Sequence, residues 1–168
     1  MRPRKRPLYN ETMYIDRIEL TFDAAHRLAG YAGKCASPHG HSFRAEVFVA
    51  VRELDELGLA VDFRELKGRL KAWIDGHWDH AFLIGDGDVA LIEALRALPE
   101  AKLYVFRGVN PSTEALAREL FDVARREFGD IVQRVRVWES PTQYAEYVPE
   151  LHLLETASGG VLRVGTSA

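Results

Sequence analysis

Apolar and polar positions alternate with a period near two in the first third of the chain. Residues 12–22, TMYIDRIELTF, set Tyr14, Ile18, Leu20 and Phe22 against Ile15, Arg17 and Glu19. That alternation is imperfect, and the β-branched and aromatic content is what predicts a strand. Residues 43–51, FRAEVFVAV, alternate more cleanly: Phe43, Ala45, Val47, Val49 and Val51 share one face, with Arg44 and Glu46 on the other. Between the two runs, residues 23–40 are rich in glycine, alanine and polar groups and read as a loop of unusual length. Loops that long inside a compact domain are usually functional.

Past a turn at Glu53 to Gly58 the apolar period becomes helical. Asp62 with Glu65 three positions on is a helix-start signature, the side chains satisfying backbone N–H groups that have no partner within the helix. Phe63, Leu66, Leu70, Trp73 and Ile74 then recur on one face until Gly76. A shorter helix is predicted over 88–98, stopped by Pro99, and a short strand over 102–107. Asn110-Pro111-Ser112 opens a third helix, with Leu116, Leu120, Val123 and Phe128 inward and Gly129 at its end. Strands over about 131–139 and 144–153 flank the turn residues Ser140-Pro141-Thr142. Consecutive strands joined by loops rather than crossover helices predict antiparallel pairing, so the expected class is α+β, with helices covering one sheet face. Residues 1–10 read as a flexible basic tail and 157–168 as a frayed end, leaving 11–156 as a single domain.

Composition narrows the possibilities only modestly. The 168 residues suit one core, and 47% hydrophobic with 28% charged residues excludes wholesale disorder. A net charge of −3 gives no electrostatic reason to expect nucleic acid or an anionic membrane as partner. No run reaches the roughly 18 apolar residues of a membrane span, and no apolar signal-peptide core follows the basic start. A cytoplasmic protein is expected, and the single cysteine, Cys35, which cannot form an internal disulfide, fits a reducing compartment.

The chemistry concentrates in Cys35-Ala-Ser-Pro-His39-Gly-His41, preceded by His26. Residues i and i+2 of an extended chain project to one side, so His39 and His41 can reach the same point, and His26 can supply a third ligand. Gly40 between them removes a side chain that would crowd the opposite side. Three neutral imidazoles with one open position describe a catalytic zinc site; taken without His26, the pair reads more readily as two loop histidines. Cys35 alone is a small buried filler or a reactive thiol, and a nearby dication and Lys34 would both favour the thiolate. Asp79-His80 follows the first long helix. His80 suits proton transfer near neutrality or a helix end where the macrodipole favours it, and Asp79 can orient it only if the segment is irregular. Glu139, near a strand end, reads on its own as a surface carboxylate.

In order and spacing these landmarks resemble the family of 6-pyruvoyltetrahydropterin synthase and the queuosine-pathway 6-carboxytetrahydropterin synthase. The matching pieces are Phe22-Asp23-Ala24-Ala25-His26, Cys35-x3-His39-Gly40-His41, Val61-Asp62-Phe63, Asp79-His80, Asn110-Pro111-Ser112-Thr113-Glu114 and Glu139, across about residues 14–148. The three-residue gap between Cys35 and His39 is similar to the 6-carboxytetrahydropterin branch. The resemblance implies a tunnelling fold (T-fold), a four-stranded antiparallel sheet with two main helices. It also implies a homo-oligomer, usually a hexamer built as a dimer of trimers, with active sites at subunit interfaces.

By the same resemblance, His26, His39 and His41 would hold Zn2+ against the side-chain hydroxyls of 7,8-dihydroneopterin triphosphate. Cys35 would be the base, Asp79 and His80 would relay protons, Glu139 would anchor the aminopyrimidine edge, and Thr113 and Glu114 would line the pterin pocket. The implied reaction gives 6-carboxytetrahydropterin, acetaldehyde and triphosphate. Formation of 6-pyruvoyltetrahydropterin, cleavage of dihydroneopterin, and a pterin-binding module without turnover are the alternatives. Three features depart from the family pattern near the expected pocket: Trp78 before Asp79-His80, Ile84 in place of an asparagine, and a longer stretch from Gly85 to Val109. No basic cluster for a triphosphate stands out; Arg27, Lys34 and residues of another subunit are the candidates.

Overall fold

A computed structural model describes residues 13–149. The basic tail, the frayed end and the part of the last expected strand beyond 149 lie outside the described residues. The elements are β1 (Tyr14–His26), β2 (His39–Val51), α1 (Phe63–His77), β3 (Ala81–Gly85), α2 (Val89–Arg96), β4 (Leu103–Phe106), α3 (Thr113–Phe128), β5 (Val132–Ser140) and β6 (Gln143–Tyr147).

The period-two rows read from the sequence continue further than the sequence suggested. β1 and β2 pair antiparallel over their whole length, from Tyr14 opposite Val51 to His26 opposite His39. Residues 23–26 and 39–40 are therefore strand, and the expected loop of 23–40 shrinks to 27–38. Small and polar residues hid this continuation, because the pairing here comes from the neighbouring strands on both sides rather than from β propensity. On β1 the inward row is Ile18, Leu20, Phe22, Ala24 and His26; on β2 it is Phe43, Ala45, Val47 and Val49, all buried.

The sheet has six strands in the order β4-β3-β1-β2-β5-β6, not four, and it is mixed rather than wholly antiparallel. β3 lies parallel to the end of β1, pairing at Ala24–His26, and β4 lies parallel to β3. β3 carries no period-two signal in the sequence: AFLIG is only five residues long and buried almost throughout, with no polar alternation to mark it as strand. The long stretch after Gly85 forms α2 and β4 and extends the sheet edge. Trp78 and Ile84, the two other departures, are fully buried in the interior; Trp78 packs against Phe22, Trp73, Tyr104 and Phe106.

α1 packs on β1, α3 on β5 and β6, and the two helices on each other. Leu66, Leu70 and Ile74 of α1 meet Leu116, Leu120 and Val123 of α3 in one core cluster. Each such side chain contributes about 1.5–3 kcal/mol through burial. Both helix starts are capped as expected: Asp62 accepts from the Arg64 N–H at 2.7 Å and Ser112 from the Ala115 N–H at 3.3 Å. The opposite sheet face is polar but not open. Glu46, almost wholly buried, accepts from Arg17, Arg136 and the Trp138 indole. Burial would raise its carboxyl pKa; the indole and Arg17 outweigh that and hold it below the usual value.

Core burial and capping should separate in magnitude. Leu70→Ala should cost about 2–5 kcal/mol of unfolding free energy in urea, and Asp62→Ala about 1 kcal/mol. The reverse order would contradict the packing described.

Candidate metal centre

The inward rows of three strands change from apolar to ionisable side chains at the same end of the sheet. On β1 the row Phe22, Ala24 ends at His26; on β2 the row Val47, Ala45, Phe43 ends at His41 and His39; on β5 the row Val135, Val137 ends at Glu139. The histidine centre is thus the continuation of the core, floored by Phe43, whose ring centroid lies 5.6 Å from that of His26 and 5.4 Å from that of His41. Gly40 faces Ala25 across the strands, and a β-carbon there would sit 3.2 Å from the Ala24 carbonyl. A side chain at that position would press on the rung that aligns the histidines.

The three rings converge, with centroids 4.6, 5.2 and 4.9 Å apart. Each offers one nitrogen within 4.8 Å of the others. Second contacts fix two tautomers: His26 Nδ1 lies 2.8 Å from the Pro111 carbonyl and His39 Nδ1 2.8 Å from the Ser37 carbonyl, so both donate outward and keep the Nε2 lone pair for the centre. His26 Nε2 and His41 Nε2 are buried and make no hydrogen bond. A buried ring nitrogen without a partner is costly, and a shared cation is a chemically apt partner for both. Burial lowers the His26 pKa below 6.5 against the opposing effect of the Pro111 contact, so the ring is held in the neutral form that ligates. The residues fit a zinc-type ion.

Glu139 Oε1 lies 3.4 Å from His26 Nε2 and 3.6 Å from His41 Nε2, so the carboxylate shares the space at which the rings aim. Cys35 sits in a single 3₁₀ turn, Lys34–Ala36, half-buried, and its sulfur is not one of the converging donors. The carbonyl of Cys35 accepts from the Leu28 N–H at 2.8 Å, tying the turn to the end of β1.

Asp79 and His80 lie in the irregular link between α1 and β3, the circumstance in which neighbours can touch. His80 has φ +58°, and its Nδ1 is 3.1 Å from Asp79 Oδ2. The His80 N–H donates to the Asp23 carbonyl at 2.7 Å and Asp79 accepts from the Asp23 N–H at 2.9 Å, so Asp23 of β1 holds the pair from both sides. Burial would raise the Asp79 carboxyl; the Asp23 N–H and His80 lower it below its usual value. The His80 side chain is 77% exposed, open to exchange protons with solvent or a ligand.

Thr113 is the first residue of α3. Glu114 lines a groove of about 840 Å³ between β4 and α3 that none of the histidines, Cys35 or Glu139 borders. Arg27 is engaged by Asp88 in a two-point ion pair. The sequence reading missed the positioning roles of Pro111, Asn110 and Asp23. Asn110 clips Ala29 through two 3.0 Å hydrogen bonds, which sets Pro111 against His26. In the sequence, Asn110-Pro111-Ser112 reads as a helix start and as part of the family pattern, neither of which reveals this clip.

A family model described as 6-pyruvoyl tetrahydropterin synthase matches residues 16–150. The chain is 32% identical over 134 residues to a Rickettsia bellii protein named 6-carboxy-5,6,7,8-tetrahydropterin synthase, covering 77% of this chain and 95% of that one. A Haemophilus influenzae protein of the same name is 29% identical over 134 residues, covering 77% and 94%. Among solved structures, an uncharacterized protein from Wolinella succinogenes superposes with a TM-score of 0.70 at 23% identity, covering 83% of this chain and 99% of that one. The Caenorhabditis elegans 6-pyruvoyl tetrahydropterin synthase gives 0.62 at 21%, covering 84% and 99%. The fold is the tunnelling fold, with the sheet widened to six strands.

A β-carbon on Gly85 would fall 2.8 Å from the Val109 carbonyl, displacing the segment that presents Pro111 to His26, whereas Gly87 has nothing within 4 Å. Gly85→Ala should weaken zinc binding about ten-fold or more in chelator competition, and Gly87→Ala should not; equal affinities would refute the Pro111 coupling. In metal-free protein the lowered His26 pKa means that the unfolded chain binds the extra proton first. Stability should therefore be full above about pH 6.5 and fall as pH drops below it. Urea melts between pH 7.5 and 5 check the sign, and His26→Gln should flatten that part of the profile.

Proposed function

The chain belongs to the 6-pyruvoyl tetrahydropterin synthase family, and from that premise we propose that it is a zinc-dependent 6-carboxy-5,6,7,8-tetrahydropterin synthase. It would convert 7,8-dihydroneopterin triphosphate to 6-carboxytetrahydropterin, releasing acetaldehyde and triphosphate, as a lyase of queuosine (7-deazapurine) biosynthesis. The observation that carries the reading is the set of three converging imidazoles with two unpartnered buried nitrogens. The names borne by relatives that match most of the chain, and the three-residue gap from Cys35 to His39, support this branch of the family over the pyruvoyl branch.

When bound, zinc supplies Lewis acidity that makes protons beside coordinated substrate oxygens easier to remove. His26, His39 and His41 would hold the ion, with the Pro111 carbonyl aiming the His26 ring and the Ser37 carbonyl the His39 ring. Cys35 would be the base that takes the proton. Asp79, fixed by Asp23, sets the tautomer of His80, which passes protons to and from the exposed side. Glu139 anchors the pterin's aminopyrimidine edge through charge-assisted hydrogen bonds. Thr113 and Glu114 line the pterin pocket, and the separation of Glu114's groove from the histidines supports a site completed by a second subunit.

A homo-oligomer, a hexamer built from two trimers, agrees with the sheet edges. Among the described residues the outer edge of β1 from Tyr14 to Asp23 and the outer edge of β6 have no strand partner, and Tyr14 and Ile15 are exposed on β1. Long open edges of this kind are commonly covered. No helix among the described residues is long and apolar enough to cross a membrane. We propose a cytoplasmic location.

Purified zinc-loaded protein given dihydroneopterin triphosphate should release acetaldehyde, detected by mass spectrometry with 6-carboxytetrahydropterin. Turnover without acetaldehyde would reject this branch. Cys35→Ala should reduce turnover about a hundred-fold or more while zinc content and melting temperature stay as in the wild type. Pterin binding with no Cys35-dependent reaction would instead identify a binding module.

A further inference from the structure

The pairing of β2 with β5 stops at the rung Arg44–Trp138. Beyond it, β2 runs on to His39 paired only with β1, and β5 runs on to Ser140 paired with β6 through a register shift after Trp138. The two strands part like the arms of a fork. A cleft of about 630 Å³ opens between them, bordered by His41, Ser42, Arg44, Trp138, Glu139 and Pro141.

This cleft joins two environments. His41 and Glu139 belong to the histidine centre on the inward face. Arg44 and Trp138 belong to the outward face, where the guanidinium carbon of Arg44 lies 4.4 Å from the centroid of the Trp138 ring. Stacking fixes the plane of the guanidinium and leaves its N–H edge to meet acceptors in that plane. The ion pair of Arg44 with Glu19 is long, at 3.6 Å, and both side chains are well exposed, so it opposes a competing anion only weakly.

Three other arginines are already paired with carboxylates. Arg27 is held by Asp88, Arg17 by Glu46, and Arg136 by Glu46 and Glu146. Among the described residues, Arg44 is the one guanidinium on the wall of the cleft that borders the histidine centre.

The geometry points to Arg44, stacked on Trp138 at the strand fork, as the residue that receives the phosphate tail of a substrate whose side chain lies at the histidine centre. This inference rests on the function proposed above and deepens it. A planar guanidinium forms paired, charge-assisted hydrogen bonds with phosphate oxygens, and one such anchor answers how a chain of net charge −3 without a basic cluster takes a polyanionic substrate. It also makes phosphate, rather than the pterin ring, the group that Arg44 distinguishes.

The test compares zinc-loaded wild type, Arg44→Gln and Arg44→Lys. KM and kcat are measured with dihydroneopterin triphosphate, and Kd with phosphate-free dihydroneopterin. Arg44→Gln should raise KM for the triphosphate about ten-fold or more, with kcat changed far less, and should lessen the salt dependence of KM. Its Kd for dihydroneopterin should stay within about two-fold of wild type, and Arg44→Lys should recover part of the loss by keeping the charge. An unchanged KM in Arg44→Gln, or an equal loss for the phosphate-free pterin, overturns the inference while leaving the proposed reaction standing. A wild type that neither binds nor turns over the triphosphate overturns the proposed reaction itself, and this inference with it.

Discussion

The antiparallel rung that sets His26 opposite His39 is the constraint on which the rest of the site depends. Side chains alternate along a strand, so a slip of one residue between β1 and β2 would send one histidine row to the other face. What holds the register is the apolar row behind it: Ile18, Leu20 and Phe22 on β1, and Phe43, Ala45 and Val47 on β2 can be buried under α1 and α3 in only one alignment. Core packing and ligand placement are therefore one feature. The same burial that stabilises the sheet keeps His26 neutral and leaves its Nε2 without a water-like partner.

Around that rung, backbone groups from distant parts of the chain do the aiming. The Asn110 clip on Ala29 brings the Pro111 carbonyl to His26, and the close approach at Gly85 sets how near that segment can lie. Asp23, three residues before the histidine on the same strand, holds Asp79 and His80 through its own N–H and carbonyl, and its carboxylate accepts from Ser42 at 2.5 Å. The proton-transfer candidates are thus referenced to β1, the strand that carries the first ligand. Carbonyls and amides held in place by hydrogen bonds have little freedom to reorganise, which suits a site that must keep its geometry through a reaction.

Much of this was legible in the sequence, for definable reasons. The strand through Phe43–Val51 and the helices from Asp62 and Ser112 announced themselves by period and cap, and the spacing of His26, His39 and His41 marked the centre. The ends of β1 and β2 did not, because Asp23-Ala-Ala-His26 and His39-Gly-His41 are strand through pairing rather than propensity. β3 escaped because a five-residue strand buried on both sides has no alternation, and with it went the parallel part of the sheet. Carbonyl contacts such as Pro111 to His26 leave no side-chain signature at all. The irregular backbone at Asp79-His80 could be stated only as a condition, and the left-handed conformation of His80 meets it. Trp78 and Ile84, which looked like changes to the pocket, are changes to the core.

The most direct measurement is X-ray absorption at the zinc edge on protein reconstituted with one equivalent of zinc. Three imidazole nitrogens at about 2.0–2.1 Å with one further light-atom ligand, and no sulfur, is the result expected from rings that converge without Cys35. A sulfur shell near about 2.3 Å, fewer than three imidazoles, or a protein that retains no zinc would contradict the account at its root.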